Sequence, residues 1–465
     1  MSDSEVVEEY SEKGRAGVRG RDWTKGSIIH NLLLISWPIT ISDGLRNIGP
    51  TIDLIWVGKL GSASIAGVGV ASMAVFIAAS GMMGINAGMR AMIARFVGAG
   101  NAEGANHVAQ QAIVVSAAYG ILMAVIGIFL AEPILVLLGL EAEVVVEGAA
   151  YMRIAFAGTA VMSFHRMSEG IMQASGDAVS PMRISVLYRA FHIILVPFLI
   201  FGWWIFPRWG VGGAALANVI SQGLGMVVGL WVLFAGRSRL RLTLQNFRLD
   251  LKIIWRLVKI GVPASVMMAE RSFGRLMLVW FMVPYGTNAV AAHTLIQRIV
   301  MFVNMISMGF GRGAGVLVGQ NLGAQQPERA EKSAWLAVGA SEIIVVACAT
   351  GLILWPGSIV RIFNSDPALV ELASVFIRIG GISYFAMSVD QVLMQCLSGA
   401  GDTLPPMLVT LLSTWAVTVP LALLLPNVAD LGVYGVRWAM VAGIVSGAIV
   451  YVIYFRMGRW KRKRV

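Results

Sequence analysis

Asp53 is the residue of this chain best suited to take up and release a cation. It lies inside a long apolar stretch, fifteen residues after Pro38. A charged group in hydrocarbon costs several kcal/mol or is neutralised, so an acid there is a functional suspect by default. Pro38 removes a backbone donor and allows the same helix to bend. A titratable carboxylate on a bendable helix is a minimal device for tying ion uptake to a change of shape. The plainer alternative is that Asp53 caps the outer end of the helix near Lys59. Glu270 and Asp390 also fall in apolar stretches, either with a coupling or substrate role or as neutralising partners of Arg46, Arg271 and Arg275. His165 and Glu169 are four residues apart, on one helical face, and either line a cavity or neutralise Arg166.

The elements that must hold these residues are membrane helices. The chain is 57% hydrophobic and 13% charged, whereas a soluble protein carries roughly 25% charged residues. Apolar runs long enough to cross a bilayer, about 20 residues each, recur throughout. The fold class is therefore all-α and polytopic. Helices are expected at 29–57, 65–97, 104–130, 146–173, 180–203 and 211–236, and again at 253–284, 290–322, 328–356, 369–398, 405–426 and 433–457. Residues 1–27 read as a cytoplasmic tail, 28–236 as an amino-terminal lobe, 237–252 as a linker, 253–457 as a carboxy-terminal lobe and 458–465 as a basic tail. The +11 net charge is gathered near Lys13 to Lys25, in the linker, and from Arg456 to Arg464. Twelve spans put all three clusters on one side, as the positive-inside rule requires for cytoplasmic termini. The same distribution argues against a nucleic-acid partner. Cys348 and Cys396 both sit in apolar segments, so no disulfide framework or metal cluster is legible.

The chain also repeats. Pro38 and Pro263, Gly61 and Gly286, Gly98 and Gly323, Gly176 and Gly401, Asp177 and Asp402, and Met182 and Met407 are each 225 residues apart. Six helices per half make the repeats parallel. Arg46 and Arg271 share that offset and suggest a symmetric structural or gating ion pair, with Asp43 and Glu270 as partners. Asp177 and Asp402 follow turn glycines and are expected to cap the next helix.

Trp37-Pro38, then Asp53-Leu54-Ile55-Trp56-Val57-Gly58-Lys59-Leu60-Gly61, then Gly98-Ala99-Gly100 and Gly323-Ala324, the paired Gly-Asp turns with their Pro-Met, and Gly210-Val211-Gly212-Gly213-Ala214-Ala215 occur in order. Together they resemble the multidrug and toxic compound extrusion (MATE) transporters over nearly the whole chain after the tail. The resemblance implies a secondary antiporter that exports amphipathic, often cationic compounds by alternating access. It also implies a V-shaped pair of lobes around a central cavity. The exchanged ion would be a proton or sodium.

The resemblance further implies a cation site in the amino-terminal lobe that includes Asp53. Members with that site carry an Asn and an Asp in the fifth helix and a Thr in the sixth, where this chain has His192, Val196 and Asn218. Losing the second carboxylate weakens the case for sodium. His192 beside Asp53 suits proton handling, because imidazole titrates near neutral pH; the alternative is a hydrogen-bonded core histidine. Another branch of the family implies Glu270 and Asp390 as the cation site. Here Glu270 lies seven residues after Pro263, one short of the usual spacing, and Arg271 takes the expected place.

Trp280, Tyr384, Phe385 and Met387 are candidates for a promiscuous cavity, since Met adapts to varied ligands and aromatic faces hold cations. No phosphate loop, zinc spacing or nucleophile elbow is present, so no enzyme is expected. The expected partners are a small-molecule substrate and the lipid bilayer, with no cofactor, in a monomer of the plasma membrane. A lipid-linked saccharide flippase of the same broad superfamily is the competing function, kept open by Arg46, Arg271 and Arg275. A channel would more naturally be a symmetric oligomer with a filter segment, and no such segment is visible.

Overall fold

The computed structural model describes residues 21–428 and 430–463. The greater part of the expected amino-terminal tail, residues 1–20, lies outside them, as does Arg464. Among the described residues every regular element is helical. The helices are α1 (Ile28–Val57), α2 (Ser62–Gly98), α3 (Ala102–Leu137), α4 (Ala142–Ala157), α5 (Thr159–Ser175), α6 (Val179–Phe201), α7 (Val211–Phe234), α8 (Leu251–Met282), α9 (Thr287–Gly323) and α10 (Pro327–Leu354). They continue as α11 (Pro356–Arg361), α12 (Pro367–Ile379), α13 (Gly381–Gly399), α14 (Leu404–Leu411), α15 (Val419–Leu424) and α16 (Val433–Arg456). Among the described residues nine stretches are long and apolar enough to cross a bilayer, and the pairs α4–α5 and α12–α13 each add one more. The remaining expected span is α8, which is 32 residues long but carries Lys252, Arg256, Lys259, Glu270, Arg271 and Arg275.

Three spans expected as single helices are interrupted. The span over 146–173 bends by 48° between α4 and α5, and the one over 369–398 bends by 54° between α12 and α13. Glycine stands at each break: a side chain on Gly158 would collide with Val219, and one on Gly380 with Tyr384. The span over 405–426 contains a π-helical segment, Leu412–Thr418. Pro420 follows it and has no N–H to give the preceding turn. The Thr418 hydroxyl meanwhile bonds the Ser413 carbonyl at 2.9 Å.

The chain divides into two compact units. The first holds Ile41–Gly261 with the described residues up to Lys25; the second holds Gly26–Thr40 with Val262 onward. The division therefore falls inside α1, just after Pro38, and inside α8, just before Pro263.

In the first unit the start of α8 packs on α2. A Cβ at Gly261 would stand 2.9 Å from the Ile85 backbone, and one at Gly88 2.8 Å from the Leu257 carbonyl. In the second unit the start of α1 packs on α9, with Gly313 against Ser36 and Gly309 against Thr40. Gly88 and Gly313 are 225 residues apart, as are Ser36 and Gly261, so one small-residue crossing occurs in both units. Close backbone approach of this kind is how helices associate where no hydrophobic force separates protein from lipid. Around it the first unit buries Val196, Leu199, Ile200 and Ala214, and separately Leu135, Met152 and Phe156. The second unit buries Phe281, Ile296, Phe376 and Ile377.

The turn glycines Gly176 and Gly401 have φ of 94° and 82°. Asp177 caps α6 by accepting from the Ser180 amide at 3.0 Å. Asp402 departs from the expected cap and instead takes the Tyr454 hydroxyl at 2.5 Å and Lys463 at 3.1 Å. The linker is held on α3: Gln110 donates to the Thr243 carbonyl at 2.7 Å and Gln111 to the Arg248 carbonyl at 2.8 Å.

Candidate functional site

Asp53, one turn from the end of α1, and His192, in the middle of α6, are both buried in the first unit. His192 Nε2 stands 3.1 Å from Asp53 Oδ1. The two atoms are close, though they are not aligned as a hydrogen bond and neither has another partner. On the other side of the ring, Arg189 Nη1 lies 3.0 Å from His192 Nδ1. A guanidinium only donates, so Nδ1 accepts, and the mobile ring proton belongs on Nε2, facing Asp53. Arg189 and His192 are three apart and share one face of α6. The guanidinium also reaches the Arg46 carbonyl at 3.4 Å and lies over the Tyr188 ring. Gly49 makes room for it, since any side chain there would collide with the guanidinium.

The cap reading of Asp53 has less support in this geometry, because Lys59 sits over the Trp56 ring at 4.3 Å. Asn218 forms its hydrogen bond with Gln222 and none with Asp53 or His192.

A second buried group adjoins the first. Arg46 binds Asp43 at 3.1 Å and Glu169 at 3.0 Å, and Gln173 donates to Glu169 at 3.2 Å. His165 packs edge-on to Tyr188, with ring centroids 4.8 Å apart. The backbone and ring contacts of Arg189 thus link the two groups. Asp53, His192, Arg46, Asp43, Glu169 and His165 all gather in the first unit, around a residue the sequence reading passed over. Arg189 carried a legible signal: it is a charge inside an apolar span.

In the second unit Arg271 binds Asp390 at 3.3 Å and Met394 Sδ at 3.1 Å. This corrects the expected Arg271–Glu270 pair. Glu270 is buried with neither oxygen in hydrogen-bond geometry, and it faces the side of α8 where Gly274 meets Thr414 of the π segment. Asp390, reaching over from α13, holds the Arg271 guanidinium in its place. Among the cavity candidates Trp280 is 63% exposed and Tyr384 is buried. Phe385 is exposed, and Met387 packs at the edge of the core. A further buried cation, Arg437, donates to the Phe376 carbonyl at 3.3 Å. It too is a charge in an apolar span that went unremarked in the sequence. Among the described residues no three His, Cys, Asp or Glu side chains are grouped as metal ligands.

The family model MatE matches the chain twice, over residues 38–198 and 263–424. The two matches begin at Pro38 and Pro263, the prolines that define the repeat. The chain belongs to the MatE family. Proteins of this family are membrane transporters of small molecules, not enzymes. Among similar proteins, the probable multidrug resistance protein NorM of Thermotoga maritima is 24% identical over 444 residues, covering 93% of each chain. The probable multidrug resistance protein YoeA of Bacillus subtilis is 25% identical over 446 residues, 95% of this chain and 96% of that one. Among solved structures, a MATE protein in the bent conformation superposes with a TM-score of 0.88 at 24% identity, covering 95% and 97% of the two chains. An outward-facing multidrug resistance MATE transporter of the MOP superfamily gives 0.87 at 24% identity, covering 97% and 99%. Structural likeness at that identity establishes the shared MatE fold.

Proposed function

We propose that this MatE protein exports amphipathic, often cationic compounds in exchange for protons, by alternating access across the plasma membrane with both termini in the cytoplasm. The observation that carries the reading is Asp53 buried 3.1 Å from His192, with Arg189 on the far side of the imidazole. A sodium ion needs a shell of oxygen donors, and this site offers one carboxylate beside an imidazole that is backed by a guanidinium. A proton needs only the carboxylate. Protonating Asp53 removes its charge from α1, whose proline lies at the division between the units, and so gives that helix two energetically distinct states. One charge crossing 100 mV is worth about 2.3 kcal/mol, roughly a fifty-fold concentration ratio. The names carried by the Thermotoga and Bacillus relatives, both probable multidrug resistance proteins, support the substrate class.

The test is ethidium efflux with proton and sodium gradients imposed separately. A proton gradient alone should drive efflux, and Asp53→Asn should abolish it while the protein stays folded. Efflux driven only by sodium overturns the proton assignment. Indifference to both gradients overturns the antiporter reading and leaves the flippase.

A further inference from the structure

The third span of each half ends differently. In the first unit α3 runs unbroken from Ala102 to Leu137, whereas in the second α10 stops at Leu354 and resumes after Trp355 as the short α11. The 225-residue register holds throughout this region: α3 and α10 begin at Ala102 and Pro327, and α4 and α12 at Ala142 and Pro367. In the first unit Arg153 is neutralised by Glu132 at 2.7 Å. In the second, Arg378 takes the position of Arg153, but Gly357 takes that of Glu132. Two apolar positions become charged as well, Val136 giving way to Arg361 and Val146 to Glu371.

Between α11 and α12 this leaves a hollow of about 380 Å³, lined by Trp355, Ser358, Arg361, Glu371, Ser374 and Arg378. Among the described residues none of its three charged side chains has an ion-pair partner. The hollow lies at the end of a membrane-crossing helix, and Leu354, Trp355, Ile362 and Phe363 beside it are each more than half exposed. A tryptophan at a helix end marks the headgroup level of a bilayer.

We propose that this hollow binds the headgroup of a zwitterionic phospholipid, with the phosphate on Arg361 and Arg378 and the amine on Glu371. Two guanidinium forks suit phosphate oxygens, and a carboxylate beside them suits an ammonium. The exposed apolar residues at the rim supply a surface for acyl chains, which a free phosphate would not use. The first unit, with its arginine already paired and valines in place of the other two charges, lacks the site.

The test is native mass spectrometry of the full-length protein with phosphatidylethanolamine and phosphatidylglycerol. Glycerophosphoethanolamine, the same headgroup without chains, serves as the soluble arm. The wild type should retain phosphatidylethanolamine in preference to phosphatidylglycerol. Arg361→Gln or Arg378→Gln should weaken that binding about tenfold, and Glu371→Gln should remove the preference. Gly357→Glu should re-create the ion pair of the first unit and expel the lipid. A Cβ at Gly357 meets nothing nearer than Ser374 at 3.7 Å, so this variant should fold with a lipid-free melting temperature no lower than that of the wild type. Unchanged lipid retention in Arg378→Gln and Gly357→Glu overturns the proposal, as does soluble headgroup binding as tightly as the lipid.

Discussion

Replacing Arg46 with methionine keeps a long flexible side chain and removes one buried charge. Asp43 and Glu169 then lose the guanidinium they share at 3.1 and 3.0 Å. The three side chains are 22%, 5% and 8% exposed, so water makes up little of the loss. At these separations and an effective dielectric constant near 20, each contact is worth about 5 kcal/mol before desolvation. Removing one member of a buried pair costs about 3–5 kcal/mol. At about 2–4 °C per kcal/mol for a unit of this size, the apparent melting temperature should fall by about 10 °C in detergent. The electrostatic origin is tested by Glu169→Gln in the Arg46→Met background. That change removes one of the two carboxylate charges that had shared Arg46 and keeps an oxygen for Gln173, so it should recover roughly 2 kcal/mol. Alone, with Arg46 still serving Asp43, Glu169→Gln should destabilise by about 1 kcal/mol. A double variant no more stable than Arg46→Met would refute the reasoning and make the loss one of packing.

Arg189→Met should leave His192 Nδ1 without its donor and cut proton-driven ethidium efflux at least tenfold, while Arg189→Lys, which keeps a donor and a charge, should retain part of it; equal efflux in both variants and wild type would remove Arg189 from the site. Gly261→Val should destabilise by about 1–3 kcal/mol or prevent folding, because its Cβ would press on the Ile85 backbone at 2.9 Å. Gly339→Ala, with nothing within 4 Å, should be neutral or stabilise by up to about 1 kcal/mol in a thermal melt. The Asp250 carboxyl is held below its ordinary value by the Ile253 and Lys252 amides and by His107. A depressed carboxyl contributes stability above its unfolded value, and loses it as pH falls through its folded value. Proteolysis of the linker should therefore be flat from pH 8 to about 5 and rise only below about 4.

Much of the architecture was written in periodic features: apolar run length, the 225-residue offset and the turn glycines. Helix breaks were harder to read, because Gly158 and Gly380 are two among many glycines in membrane spans. Only their neighbours, Val219 and Tyr384, which leave no room for a side chain, mark these two as special. The π segment depends on Thr418 reaching back to Ser413, a contact with no sequence periodicity. At the site, Asp53, His192, Arg46 and Glu169 stood out as charges in apolar runs, and the fold gathers them. Their pairing did not stand out. Arg46 joins Glu169 across 123 residues of sequence, and Arg271 chooses Asp390 over its own neighbour Glu270.

The starts of α1 and α8 each complete the unit that contains most of the other half of the sequence. A cut in the linker would consequently yield two fragments, each lacking one strip of its own core and carrying the strip its partner lacks. Co-expressed, they should reassemble; expressed singly, each should be degraded. The same geometry in a half-length ancestor is that of a domain-swapped dimer, in which two identical subunits trade their first helical turns.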